Sequence, residues 1–386
     1  MNLQERMTQC LQQAVARHET AGISVLVRQN GKEVVYSQAG YADLAAAAPL
    51  RRDNIFRMFS QTKPIVSAAV MLLMERGELD LMTPVSAFLP GFRQQKVATP
   101  EGLVPAHRPA RVMDLLGMTA GLSYPGDGDE SDRAAARLFA EVHQRIEAGN
   151  GMTTQELSNR IGELPLAFHP GAHWRYSTCA DVLGAVIEIV SGKPLADFLQ
   201  DEFFTPLGME DTAFFVPPEK QERLVTAYRR TPEGLTPFRQ MFFGIGDFDR
   251  MPAYVAGGGG LRSTMDDYAA FADMLLHEGA WGGRQLLRPA TVRWMTQPQL
   301  TAGPFADMGD CRDGFSYGKL MRVCVEPGLW AGLALRDEYG WDGMMGTYFA
   351  NMPHERLSLL VMQNAVHGAF DPVIRKVRNI VLSELG

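Results

Sequence analysis

Both ends of this chain carry strand patterns, and the long stretch between them does not. Near the N-terminus, ISVLVRQNGKEVVYSQAGYAD (residues 23–43) alternates or runs apolar on both sides of Asn30–Gly31. That dipeptide supplies the positive φ a type I′ hairpin turn needs. Four strand-like runs follow toward the C-terminus: SYGKLMRVCV, GLWAGLALR, GTYFANM and RLSLLVMQN. Residues from about 85 to 255 read instead as helices joined by Pro/Gly-rich loops, with clear runs at 132–147, 154–162 and 180–190. Further helices are expected at the N-terminus, near 265–277 and over 372–385. The pattern predicts an α+β fold. One domain is built from both termini (1–84 and 256–386), and a mainly helical domain (85–255) is inserted in the middle.

Composition narrows the function classes. The formal charge of −7 is spread along the chain, which argues against a nucleic-acid partner. The N-terminal MNLQERMTQCLQQAVARHET carries charges throughout and lacks the apolar core of a secretory signal. No segment has the eighteen or so uninterrupted apolar residues of a membrane span, so no membrane partner and a cytoplasmic location are expected. Cys10, Cys179, Cys311 and Cys324 form no C-x-x-C pair, and free thiols suit a reducing compartment.

The candidate chemistry lies in FSQTKPI (59–65). Ser60 and Lys63 are three apart, which on a helix places hydroxyl and amine on one face. A lysine left neutral by its surroundings can take the serine proton. Pro64 would clash with the carbonyl of Ser60 inside a helix, so Ser60 belongs at the helix edge, where free N–H groups stabilise an oxyanion. The motif is weak by itself. With 14 Ser and 7 Lys, chance gives about 0.25 matches, and a second copy stands at Ser316–Tyr317–Gly318–Lys319. That copy falls in a strand-like run, where residues three apart point to opposite faces.

Other patterns point elsewhere. Gly121–Leu122–Ser123–Tyr124–Pro125 approaches a nucleophile elbow but ends in proline. Pro170 and Gly171 keep His169 and His173 from sharing a helix face as metal ligands. Gly257 to Gly260 lacks a phosphate loop's spacing and lysine, and reads as a tight backbone approach. Asp127, Asp129 and Glu130 read as a solvated acidic loop. Neither a metal nor an organic cofactor is implied.

Five stretches in order resemble the serine β-lactamase and penicillin-binding-protein superfamily, and within it class C β-lactamases and the related family VIII esterases. They are IFRMFSQTKPIVSAAVMLLMERGELDLMTPVSAFLP (55–90), VMDLLGMTAGLSY (112–124), FHPGAHWRYSTCADVLGAVIEIVSG (168–192), GGGGLRSTMDDYAAFADMLL (257–276) and YGWDGMMGTYF (339–349). Met118 and Ala120 depart from the family's L-L-x-H-T-S-G-L, and Thr178 stands at the asparagine of Tyr-x-Asn. The resemblance implies a β-lactamase-like fold, in which an antiparallel sheet is flanked by helices and the active site lies between the sheet domain and the inserted helical domain. It also implies that the Tyr176 hydroxyl lies between Ser60 and Lys63 as general base, with either Lys63 or Tyr176 taking the proton. Asp181, three residues beyond Thr178, reads as part of a helix cap.

Trp341–Asp342–Gly343 stands where β-lactamases carry Lys-Thr-Gly, and looks like the Trp-x-Gly form of the esterases. By resemblance, the oxyanion hole combines the N–H groups of Ser60 and Met344, and Trp341 lines the pocket. A penicillin carboxylate loses its lysine partner here and meets Asp342, a like charge, so neutral esters are the better substrate. The aromatic loop 236–254, with Phe238, Phe242, Phe243, Phe248 and Tyr254, either walls that pocket or packs as core. The expected activity is hydrolysis of small-molecule esters through an acyl-enzyme on Ser60. β-Lactam or D-amino-acid peptide cleavage, acyl transfer, and a non-catalytic binding protein are the competing readings.

Overall fold

The computed structural model describes residues 1–308, 313–368 and 371–386; Cys311 lies outside them. Numbering only the strands of the large sheet, β1 (Gly22–Gln29) and β2 (Lys32–Asp43) form the N-terminal hairpin. Its turn has φ of 53° at Asn30 and 73° at Gly31, the left-handed pair that the dipeptide provides. After β3 (Ala48–Pro49), the sheet resumes with β4 (Phe315–Tyr317), β5 (Arg322–Cys324), β6 (Tyr339–Asp342), β7 (Tyr348–Met352) and β8 (Leu357–Gln363). The order is β4-β5-β6-β7-β8-β1-β2-β3, antiparallel throughout. Val25 opposite Val361 joins the two ends of the chain at the centre of the sheet.

Alternation divides β1 and β8 between two cores. Val25, Val27, Leu359 and Val361 face helices α1 (Leu3–Ala16) and α7 (Pro372–Leu385). Leu26, Leu360 and Met362 face the opposite core, built on α2 (Thr62–Glu75). Strands buried on both faces are near-continuous apolar runs for this reason. α2 is buried from Thr62 to Leu73 and ends before Gly77, whose φ is 72°.

Helices α3 (Glu130–Glu147), α4 (Thr154–Gly162), α5 (Cys179–Ser191) and α6 (Met265–Leu276) follow. α5 packs on α2 and α4.

Two expected strands differ. SYGKLMRVCV holds two strands, β4 and β5, turned back at Gly318–Leu320, where Leu320 has a φ of 56°. GLWAGLALR forms no strand. β5 pairs directly with β6 through Val323 and Tyr339, which leaves no slot in the sheet, and Leu329 and Leu333 are exposed. Among the described residues, no helix is long and apolar enough to cross a membrane.

Candidate active site

Ser60 sits in a 3-10 turn, Phe59–Gln61, that feeds directly into α2. Pro64 is in the first turn of that helix, where its missing N–H costs nothing. Phe59, just before the serine, has a φ of 44°, a strained conformation of the kind found at functional sites.

One turn on, Lys63 is fully buried. Its Nζ lies 3.1 Å from Ser60 Oγ, 3.0 Å from the Tyr124 hydroxyl and 2.6 Å from the Gly258 carbonyl oxygen. Three oxygens thus surround the three protons an ammonium carries. Tyr124 follows a buried apolar segment that runs from Leu115 to Leu122, and it ends the second family-like stretch without standing out in the sequence. Burial, reinforced by the Asp181 carboxylate, holds the Tyr124 hydroxyl well above the ordinary phenol range.

Tyr176 occupies a different place from the expected one. Its hydroxyl accepts a hydrogen bond from the Trp341 indole Nε1–H at 3.1 Å, instead of bridging Ser60 and Lys63. The Lys63 ammonium lies 4.6 Å from the Tyr176 ring centroid, so the lysine meets the phenol's π face. Trp341, 1% exposed on β6, also packs edge-on against Tyr317. Apolar burial and the need to satisfy one N–H orient an indole in this way.

Gly343 and Met344 leave β6 beside the serine turn. Gly343 N–H donates to the Thr347 carbonyl at 2.7 Å and Gly346 N–H to the Gly343 carbonyl at 2.8 Å. Neither turn bond uses the Met344 amide. Thr347 Oγ1 donates to the Met58 carbonyl at 3.2 Å, tying this loop to the chain just before Ser60. A Cβ on Gly343 would collide with Thr347 Oγ1 and Met58 O, which is the physical reason for glycine there.

Asp342 departs from its expected role. Its carboxylate is paired with Arg322 at 2.7 Å, both nearly buried, and Arg322 also donates to the Phe349 carbonyl. The carboxylate borders the cavity with its charge already compensated, so the like-charge argument against anionic substrates does not hold.

Ser60, Tyr124, Tyr176 and residues 341–344 line a cavity of about 280 Å³ whose walls include Phe59, Phe243, Ile245 and Tyr254. The aromatic loop divides its residues. Phe243 and Tyr254 face the cavity, while Phe242 and Phe238 pack with Ala227, Met345 and Val366 in a separate apolar cluster. Phe242 therefore does not line the pocket as expected. The loop is pinned at Gly244, whose N–H donates to His143 Nε2 at 3.0 Å, and Arg262 donates to the Gly246 and Gly260 carbonyls.

Asp181 was read as a cap, but Thr178 makes no side-chain cap bond and the Asp181 carboxylate points inward to the cavity. Among the described residues lining that cavity, none is lysine or arginine; His367, at a φ of 62°, stands there too. Among the described residues, no three His, Cys, Asp or Glu side chains are grouped to hold a metal.

A family model described as Beta-lactamase matches residues 7–382. Among curated relatives, protein Rv1367c of Mycobacterium tuberculosis is 30% identical over 359 residues, covering 89% of this chain and 85% of that protein. Esterase EstB of Burkholderia gladioli is 29% identical over 398 residues, covering 98% of this chain and 95% of its own. The solved structure of EstCE1, described as a hydrolase with promiscuous acyltransferase activity, superposes with a TM-score of 0.79 at 28% identity, covering 98% of each chain. The chain therefore belongs to the Beta-lactamase family and is a serine hydrolase of it, with esterases among its relatives.

Proposed function

We propose that this protein hydrolyses neutral carboxylic esters of small molecules through an acyl-enzyme on Ser60. The observation that carries the reading is the Lys63 ammonium, 3.1 Å from Ser60 Oγ at the edge of an aromatic-walled cavity. Ser60 Oγ attacks the ester carbonyl carbon while its proton passes into the Lys63–tyrosine group. Lys63 in its neutral form is the group within reach of that proton, and Tyr176, held by the Trp341 indole, sets its ring over Lys63. Tyr124, kept protonated by burial, serves as a neutral acceptor that steadies the lysine. The negative charge on the former carbonyl oxygen is met by the Ser60 and Met344 N–H groups. The alcohol leaves with the relayed proton, and water then releases the acid.

Neutral substrates fit because, among the described residues lining the cavity, none is a lysine or arginine that could receive a carboxylate. EstB, named an esterase, supports the same choice. Acyl transfer to an alcohol is a second reading, favoured by apolar walls that disfavour water and by the acyltransferase activity described for EstCE1.

The test is hydrolysis of a p-nitrophenyl ester series and of nitrocefin by wild type and Ser60→Ala. Ester turnover abolished in the variant and little nitrocefin turnover in wild type are expected. Fast nitrocefin hydrolysis with inert esters would reverse the substrate order.

A further inference from the structure

Asp181 places a buried carboxylate beside the site, and the proposed reaction leaves it without a role. It lies in the first turn of α5, is 3% exposed, and borders the cavity. Its Oδ1 accepts from the Tyr254 hydroxyl at 2.6 Å and from the Gly258 N–H at 2.8 Å. Gly258 carries the contact onward: its carbonyl oxygen accepts from Lys63 Nζ at 2.6 Å. One residue thus touches the carboxylate through its N–H and the ammonium through its carbonyl. The glycine run makes this approach feasible. A Cβ on Gly257 would press on the Ala180 carbonyl, and one on Gly258 would press on the Asp181 carboxylate.

We propose that Asp181 is a positioning residue for Lys63. Its carboxylate fixes the Gly258 carbonyl on the ammonium and supplies the counter-charge that a buried cation needs. The inference rests on the serine–lysine reading above. The groups facing Asp181 are Lys63 from α2, Tyr124 from the segment before α3, Tyr254 from the aromatic loop and Cys179 from its own helix. Burial pushes the Asp181 carboxyl upward and the Lys63 charge opposes that push. Two buried opposite charges hold each other in this way.

Asp181→Asn tests the proposal, because the amide oxygen still accepts both bonds while the charge is gone. Removing a negative charge favours the deprotonated form of the neighbouring base. The acid limb of the kcat/KM profile for p-nitrophenyl acetate should move to lower pH by about one unit, and kcat should fall roughly 10- to 100-fold. Tyr254→Phe, which removes one donor to the carboxylate, should lower kcat about 3- to 10-fold with KM little changed. An unmoved acid limb in Asp181→Asn, or lowered Tm in both variants with kcat intact, would overturn the proposal. Fluorophosphonate labelling keeps the two readings apart. Ser60 should still label in Asp181→Asn, whereas failure of wild type to label there would strike at the nucleophile itself.

Discussion

The chain contains the same four-residue motif twice, and the two copies behave differently. Ser60 and Lys63 meet at 3.1 Å at a helix start, beside a cavity. Ser316 ends up on β4 and Lys319 in the turn beyond it, and among the described residues no hydrogen bond joins them. Lys319 instead lies 4.7 Å from the Trp294 ring centroid, and its carbonyl accepts from Ser67 Oγ at 2.8 Å. Lys319 is nevertheless the lysine that burial pushes down to about 8. A depressed lysine is therefore no sign of catalysis by itself. What separates the copies is the local backbone, helix against strand, and the presence of a cavity in front of the serine.

The largest expected effect sharpens that contrast. Ser60→Ala should lower ester kcat/KM by roughly 10⁴-fold or more, and Lys63→Met by roughly 10³-fold. Steady-state assays against Ser316→Ala, which should stay within about twofold of wild type, check both halves. Next comes the buried pair that removed Asp342 from substrate selection. Arg322→Met strands the carboxylate and should destabilise the fold by about 3–5 kcal/mol in urea unfolding.

Lys319 gives a smaller effect with a definite sign. Its folded value of about 8 lies below the unfolded lysine value near 10.4, so the unfolded chain binds that proton more tightly. Lys319 therefore costs stability fully below about pH 8, and the cost fades as pH rises toward about 10. Lys319→Met should exceed wild type by on the order of 2 kcal/mol at pH 7 and lose that advantage near pH 10. Urea melts at both pH values test this. An advantage independent of pH would assign the effect to packing.

Periodicity and punctuation made much of the fold legible. The Asn30–Gly31 hairpin and the helices at 154–162 and 372–385 follow from residue patterns alone. GLWAGLALR misled because apolar content does not say whether a sheet has room for another strand. At the site, Ser60, Lys63, Tyr176, Trp341, Gly343 and Met344 were singled out, and they lie together around or beside one cavity. Tyr124 and the inward turn of Asp181 were not seen, because both depend on how distant segments pack against Lys63. Phe242 lies away from the cavity, and the charge of Asp342, which does border it, is already paired, for the same reason. Arg322 on β5 and the cluster around Phe238 claim them, and neither partner is near in sequence.

The most direct measurement is peptide mapping of the protein after reaction with a fluorophosphonate, run in parallel on wild type, Ser60→Ala and Ser316→Ala. The account requires a single adduct on the peptide bearing Ser60, absent from Ser60→Ala and undiminished in Ser316→Ala. An adduct on the Ser316 peptide, or labelling that survives in Ser60→Ala, would contradict it.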